Sequence, residues 1–548
     1  MSPERPSRAE WVALAAIAAG ALALRLWNVF ELAAHDPFFA RPSVDEAMYH
    51  AWAQQVAAGD WRGDQVFLNG PLFAYLLGGL YALCGPSLFA ARVAQAGIGT
   101  LACVLTWWIG RQRFAPAVAL AAAACVAVSR MLIFYDSVLG VDALIVPLAL
   151  LSAAAGFAAS ERPSALRWLG VGVCAGVGAL ARPNVALVGA LCVAFAAVMS
   201  HDHALRARAG WLAAFALGAF VCIAPVTWRN YAVSGDFVPI TYAGGMNLFL
   251  GNNPDANGSF RVPRLFPRST ADDPWEQRAV FQSTAEQALG RPLRPSEVSR
   301  FWSGEALRFA REYPGPWLRL VWRKLELATN AFEPWNLRSE VLTRDFSPVL
   351  RLPLLGFGVL APLAVIGLLL TARRWRKLVP FYAVLAMVLA TLLAFFVLAR
   401  YRIPAVPVIA LFACAGVAEA IARLRRGARR PVALAALAGA LAAVWVARPL
   451  LSDDLSIAYY NLANRYGEIE DWPRAIAGYQ RAIATRPNYI SAHNNLARAY
   501  EASGRDDDAR LAWERVRELA VAQGLPRYAE RAERHLRAIA AFEAGAPP

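Results

Sequence analysis

Asp45 and Glu46 stand side by side, with Tyr49 three residues on, in the string RPSVDEAMYHAWA. A carboxylate can take a proton from a hydroxyl or ligate a cation through oxygen. Adjacent helical residues point about 100° apart, so the two acids cannot face one atom and only one can be the base. Pro42 and Ser43 precede them, which predicts a short helix with Ser43 as N-cap. The same spacing also suits a plain solvated helix start, with acids near the positive end of the dipole. Two further acids, Asp136 and Asp142, lie in FYDSVLGVD, which reads as the short outer turn between the third and fourth apolar runs and holds no basic residue. Asp142, at the mouth of an apolar run, is the better placed, and its plain alternative is a helix N-cap. Arg182 (ARPN), Arg229 (WRNY), Arg400 and Arg402 (ARYR) sit at the ends of other apolar runs. A guanidinium fork binds two oxygens at once and so suits phosphate, although a single such arginine can be only a snorkelling anchor. Ionisable residues at a membrane edge are costly and usually functional.

The elements that must position these groups are apolar helices. Of 548 residues, 58% are hydrophobic and 17% charged. On the usual set, with Gly counted in place of Tyr, the hydrophobic share is about 62%, against roughly 45–50% for soluble domains. That excludes a soluble protein for most of the chain, and with it intrinsic disorder and a small disulfide scaffold. A span needs about 20 mostly apolar residues. Eleven candidates fit, near 10–30, 88–110, 116–134, 143–159, 168–181, 184–200, 209–228, 352–372, 378–398, 403–422 and 431–448. The first has charges before it but lacks a small-residue cleavage site, so it reads as an anchor and not a signal peptide.

Basic residues orient the chain. With Arg5 and Arg8 cytoplasmic, alternate loops carry Arg111 and Arg113, Arg162 and Arg167, Arg206 and Arg208, Arg373 to Lys377, and Arg423 to Arg430. All then fall on one side, the positive-inside pattern. This also absorbs much of the +15 net charge, which argues against nucleic-acid binding. Segments 31–87, 229–351 and 449–548 face outward. Within the first, PLFAYLLGGLYALCG (71–85) is too short to span and suits an interfacial helix. Arg25 lies inside the first span and should face the bundle. All seven cysteines lie in or beside apolar runs, so neither a disulfide framework nor a metal cluster is expected. His201 and His203, in a cytoplasmic loop between basic residues, read as solvated. The loop 229–351 is far longer than an ordinary connection and reads as a small domain or lid. Its Gly/Asn-rich string GGMNLFLGNNPDANG (244–258) could cover a site or contact an acceptor. Trp275, Trp302, Trp317, Trp322 and Trp335 suit sugar stacking or, more commonly, an interfacial belt.

The tail carries a repeat. Leu462/Leu496, Ala463/Ala497, Tyr466/Tyr500, Ala475/Ala509 and Tyr479/Trp513 recur at 34 residues, the tetratricopeptide period. Two repeats are fewer than the three or so usually needed, so a third helical pair near 524–545, or the membrane domain, must cap them. The tail is either a structural lid or a surface for a protein partner.

Several strings together resemble one family. They are the Asp-Glu-x-x-Tyr element at 45–49, the Pro-Leu-aromatic interfacial helix from Pro71, and Ala91-Arg92-Val93 opening the second span. The Gly110-Arg111-x-x-Phe114 turn, Trp228-Arg229-Asn230-Tyr231 with Gly251-Asn252-Asn253-Pro254, and Arg400-Tyr401-Arg402-Ile403-Pro404 complete the set. Over about residues 10–450 the chain resembles the membrane-embedded class C glycosyltransferases that use polyprenyl-phosphate sugars. The likeness is to the dolichyl-phosphate-mannose protein mannosyltransferase and aminoarabinose transferase group. It departs where the family's usual Lys-Pro-Pro is Asn69-Gly70-Pro71, which puts in doubt any lysine-dependent contact there.

The resemblance implies an all-α integral membrane protein of about eleven transmembrane helices, with juxtamembrane helices in the first outer loop. Its parts would be a catalytic membrane region (1–228), an extracytoplasmic loop domain (229–351), late transmembrane helices (352–450) and tetratricopeptide repeats (453–548). It implies transfer, with inversion, of a sugar from a polyprenyl-phosphate donor to an acceptor hydroxyl at the extracytoplasmic face of the cytoplasmic membrane. Asp45 would be the general base, and Glu46 would orient it, bind acceptor or hold a metal. Asp142 would be a second catalytic acid, and with Asp45 it could share a divalent cation, Mg or Mn. Tyr49, Asp136, Arg182, Arg229, Arg400 and Arg402 would bind substrate, the arginines meeting the lipid phosphate whose charge grows as it leaves. An oligosaccharide ligase or polymerase can also pair spans with such a tail, but would lack the early Asp-Glu-x-x-Tyr loop. A transporter or assembly scaffold should show related halves and mid-membrane charges. No such internal repeat is visible.

Overall fold

The computed structural model describes residues 5–266, 274–336, 338–450 and 454–543. The chain forms two compact units. The first, residues 1–31, 42–337 and 348–450, holds every apolar run. Each of the eleven runs is helical, and seven helical stretches are long and apolar enough to cross a membrane, so the protein is multi-pass. One of the seven, Phe357–Ala394, contains two of the expected runs, and Pro116–Ala127, Ala165–Ala181 and Pro183–Met199 are shorter. The length and composition of the helices do not fix the count at eleven.

The third run is not one continuous span. It breaks into helices Pro116–Ala127 and Arg130–Ser137. The backbone groups freed at the break are taken up by residue 355, through Arg130 N to Leu355 O and Leu355 N to Val128 O, both 3.0 Å. Irregular backbone at this depth persists only when neighbouring protein satisfies it in this way. As a result Asp136 is not in a turn: it lies in the second half-helix, while Asp142 opens helix Asp142–Glu161.

The basic turns gather at one end of this unit. Arg111 pairs with Glu10 at 2.7 Å, Arg113 with Glu161 at 2.6 Å, and Arg374 donates to the Arg113 carbonyl at 2.8 Å. The first long loop contributes helices Val44–Ala57 and Leu72–Cys84, the latter where an interfacial helix is expected. Met48, Tyr49, Ala53, Phe73, Leu77 and Tyr81 bury one face of this pair against Leu139, Val141, Leu144 and Val185. Each large side chain so buried is worth about 1.5–3 kcal/mol.

In the second long loop, helices Gly244–Gly251, Pro274–Leu289 and Pro295–Glu312 close on an aromatic core of Phe249, Phe266, Phe281 and Trp302. Trp302 is thus core, not belt or sugar platform, and its indole donates to Phe281 O at 3.0 Å. Trp322 is exposed beside Trp445, as a belt residue would be. Trp317 bonds Asn252, Trp335 is half-buried, and the side chain of Trp275 lies outside the described residues.

The second unit joins residues 451–548 to two pieces of the outer loops, 32–41 and 338–347. Helix pairs Ser456–Glu468/Trp472–Thr485 and Ile490–Ala502/Asp506–Gln523 stack on a core that includes Ala463, Ala475, Tyr479, Ala497, Ala509 and Trp513, all 34-residue equivalents. The expected third pair is a single helix, Pro526–Glu543. Glu468 on the first repeat meets Arg41, and Asp36 forms a buried ion pair with Arg338. Residue 453 and residues 544–548 of the expected tail lie outside the described residues.

Candidate functional site

The Val44–Ala57 helix does not start as a capped solvated helix would. Ser43 holds the cap position without a side-chain capping bond, and its carbonyl accepts from Glu46 N at 3.1 Å. Val44 takes φ +51, a region that costs a β-branched residue about 1–3 kcal/mol. This turn sets Asp45 and Glu46 in different surroundings.

Glu46 is buried. It accepts from Arg92 Nη2 at 2.8 Å and from Leu139 N at 3.1 Å. Arg92 also donates to Ser137 O at 2.9 Å. Gln95 ties the same stretch through Asp136 O and Val138 O, at 3.2 and 2.7 Å. Glu46 thereby anchors the helix start to the second span, and its oxygens face away from solvent. Asp45 keeps 24% of its side chain exposed and pairs with Arg400 Nη1 at 2.8 Å. Of the two acids, Asp45 alone is placed to meet a ligand.

A second pair lies next to it. Arg182 follows the Ala165–Ala181 helix and donates to Asp142 Oδ1 at 2.8 Å. Both guanidinium groups sit over the ring of Tyr401, Arg182 at 4.8 Å and Arg400 at 5.3 Å from its centroid. Tyr49 is buried, and Asp45, Asp142, Arg182 and Arg400 all lie within electrostatic reach of its phenol. Burial first, then the Asp45 carboxylate, hold that phenol well above its ordinary range, so Tyr49 stays protonated. Five of the expected residues therefore converge: Asp45, Tyr49, Asp142, Arg182 and Arg400.

The other four are placed apart from that centre. Glu46 backs it, as described. Arg402 is spent on structure, donating to Asn330 O at 2.5 Å, to Phe332 O at 2.9 Å and to Glu333. Arg229 holds the first long loop, donating to Arg62 O and Gln65 O at 2.6 Å and covering the Phe67 ring at 3.8 Å. Asp136 meets Arg25 at 2.7 Å inside the bundle, which gives the intraspan arginine its partner.

Gly70 accounts for the Asn-Gly-Pro departure. A Cβ there would lie 2.3 Å from Ala181 O and 2.6 Å from Leu180 O. The chain crosses the end of the helix that presents Arg182, and only glycine fits so close to backbone. The Gly-Asn-Asn-Pro motif likewise works from within. Asn252 donates to Ala394 O at 2.7 Å and accepts from Lys324 Nζ at 3.0 Å, and Lys324 also reaches Leu393 O at 3.0 Å. These bonds fix the end of the Val379–Ala394 helix, from which the chain runs to Arg400. Burial lowers the Lys324 amine to about 7.

Asp45 and Asp142 do not make a cation site as they stand. Each is bonded to an arginine, and among the described residues no three His, Cys, Asp or Glu converge to hold an ion. A hard divalent ion needs about six oxygens, so no step is assigned to one.

Sequence reasoning missed Arg92, Tyr401 and Lys324. Arg92 carried a signal, a charge five residues into a span. Tyr401 lay in view between two arginines. Lys324 shows nothing in its neighbours that marks it as buried.

Residues 69–228 match the family model described as dolichyl-phosphate-mannose-protein mannosyltransferase, and residues 463–504 match a TPR repeat model. These matches bear out the expected pairing of a mannosyltransferase-type domain with a tetratricopeptide tail, and the first supports a membrane glycosyltransferase. No curated protein matches the sequence. Among solved structures, the chain is similar to an oligosaccharyltransferase of Archaeoglobus fulgidus crystallised with Zn and sulfate, at 15% identity and TM-score 0.43, covering 84% of this chain and 57% of that one. It is also similar to the oligosaccharyltransferase AglB of Archaeoglobus fulgidus in complex with an inhibitory peptide and a dolichol-phosphate, at 15% identity and TM-score 0.40, covering 85% and 59%. The chain spans a little under three fifths of the length of these structures.

Proposed function

We propose that this protein is a membrane glycosyltransferase that moves a sugar from a polyprenyl-phosphate donor to an acceptor hydroxyl. The observation that carries this reading is the convergence of one solvent-reachable acid, Asp45, with Arg182, Arg400 and Asp142 around Tyr49, beside the stretch that matches the mannosyltransferase model. Asp45 takes the proton of the acceptor hydroxyl as its oxygen attacks the anomeric carbon from the face opposite the phosphate. The bond from that carbon to phosphate oxygen breaks, and the configuration inverts. Charge collects on the departing lipid phosphate, where Arg400 and Arg182 stabilise it. Before donor binds, Asp142 holds Arg182 in place, and the neutral Tyr49 phenol lies beside both pairs. The positive-inside rule, with the basic turns taken as cytoplasmic, supports a reaction at the extracytoplasmic face of the inner membrane, and the same loop alternation in the sequence supports an extracytoplasmic tail. The tail offers a surface for a protein partner.

The test is transfer in membranes. Membranes holding the protein are incubated with a labelled polyprenyl-phosphate sugar and native acceptors. Label should leave the lipid fraction for an acceptor fraction. No transfer above that of membranes lacking the protein, across the common donor sugars, overturns the reading.

A further inference from the structure

The two ion pairs at the site share a structural centre that the proposed reaction does not yet use. Tyr401 lies between Arg400 and Arg402 in sequence, yet its ring supports Arg400 and Arg182, the latter from a helix end more than 200 residues away. Phe396 braces that ring at 5.8 Å. The two guanidinium groups are thereby held on one aromatic support with their forks toward Asp45 and Asp142. Arg400 keeps its Nε buried without a hydrogen-bond partner, so its donors are not all used. Arg400 also lies within electrostatic reach of Asp142 as well as Asp45, so the two pairs sense one another's charge. With 12% and 17% of their side chains exposed, both arginines can be reached by a ligand.

We propose that Tyr401 is a positioning residue that sets Arg182 and Arg400 as the two halves of one phosphate clamp, and that Asp142 and Asp45 fill those halves until the donor phosphate displaces them. This rests on the lipid-phosphate reading above and deepens it. Two carboxylates and two guanidinium groups sum to zero charge, so the empty clamp is self-neutralised. A phosphate diester with two charge-bearing oxygens offers both forks bidentate partners. When Arg400 turns to the phosphate, Asp45 loses its cation and becomes available to the acceptor hydroxyl. Donor binding and release of the base are then one event, and the acceptor is activated only when donor is present. The ring also draws each cation to within about 6 Å of one centroid, which limits how far the two arginines can part.

The clamp makes an unusual prediction for a residue in a binding site. Removing the Asp45 charge should strengthen phosphate binding, because it removes a competitor for Arg400. The experiment measures binding of a sugar-free polyprenyl phosphate to the purified full-length protein in nanodiscs. Asp45→Asn should bind it about fivefold more tightly than wild type, the scale of a partly exposed ion pair. Tyr401→Leu should bind it about tenfold more weakly, and Tyr401→Phe, which keeps the ring face, should restore wild-type binding. Gel filtration of each variant confirms that it is folded, and Tyr401→Phe separates a role of the ring face from general packing. If Asp45→Asn binds equally or more weakly, or if Tyr401→Leu keeps wild-type affinity, the clamp is wrong. If wild type itself binds no polyprenyl phosphate, the lipid-phosphate reading fails, and the clamp with it.

Discussion

Gly99 and Gly97 lie two residues apart in the Leu88–Gly110 helix and should respond oppositely to alanine. A Cβ on Gly99 would sit 2.0 Å from Asp136 Oδ2, 2.4 Å from its Cγ and 2.7 Å from Arg25 Nε, whereas one on Gly97 meets nothing within 4 Å. Contacts below 3 Å cannot stand, so Gly99→Ala must separate the buried Arg25–Asp136 pair or push the helices apart. Breaking a buried pair and leaving its charges uncompensated costs about 3–5 kcal/mol. Both variants gain the helix preference of Ala over Gly, about 0.8–1 kcal/mol. That gain cancels in the comparison, so the difference between them is the cost of the clash. Gly97→Ala should melt at or slightly above wild type in detergent, and Gly99→Ala well below. Activity should follow, because Gln95 and Arg92 run from the same helix to the backbone around residues 136–139 and to Glu46. Equal melting temperatures for the two variants would refute the placing of Arg25 against Asp136.

Glu46→Gln should lower stability by about 3–5 kcal/mol, because it strands the buried Arg92 charge, while Asp45→Asn at a half-open pair should cost under about 1 kcal/mol; melting of both proteins checks the contrast. Gly70→Ala forces backbone off Ala181 O and should cost about 1–3 kcal/mol; as it displaces Arg182, the KM for donor should rise more than kcat falls. The buried Lys324 gives stability a pH dependence of definite sign. Between about 7 and its ordinary 10.5 the unfolded chain holds the proton and the folded one does not. Stability should therefore rise with pH across that window. A neutral amine keeps enough hydrogens for Asn252 and Leu393, so the fold is not disturbed, and Lys324→Met should flatten the slope in pH-dependent melting.

Much of the site was legible in the sequence because its groups break the local rule. Asp45, Asp142, Arg182 and Arg400 are charges at the ends of apolar runs, and the cost of putting them there marks them. Their division into a centre and a support was not legible. Which acid meets which arginine depends on contacts as distant as 355 residues for Asp45–Arg400 and 111 for Arg25–Asp136. Arg402 and Arg229 satisfied the same edge criterion as Arg400, yet carbonyls of neighbouring loops take them up. The apolar runs located each of the seven long apolar helices found among the described residues but not the break at Ser129, because the hydrogen bonds that repair it come from Leu355. The 34-residue spacing found the repeat pairs from their Ala contacts. It held no hint that residues 32–41 and 338–347 join them, because those segments contribute an ion pair and aromatic contacts and no repeat.

The role of Asp45 is tested most directly by single-turnover transfer from a labelled polyprenyl-phosphate sugar, comparing wild type with Asp45→Asn at saturating donor. If Asp45 is the base, the isosteric change should slow transfer by about 10²–10⁴-fold while the protein stays folded and still binds donor. Transfer within a factor of about two of wild type, a barrier change under ~0.5 kcal/mol, would show that another group takes the acceptor proton.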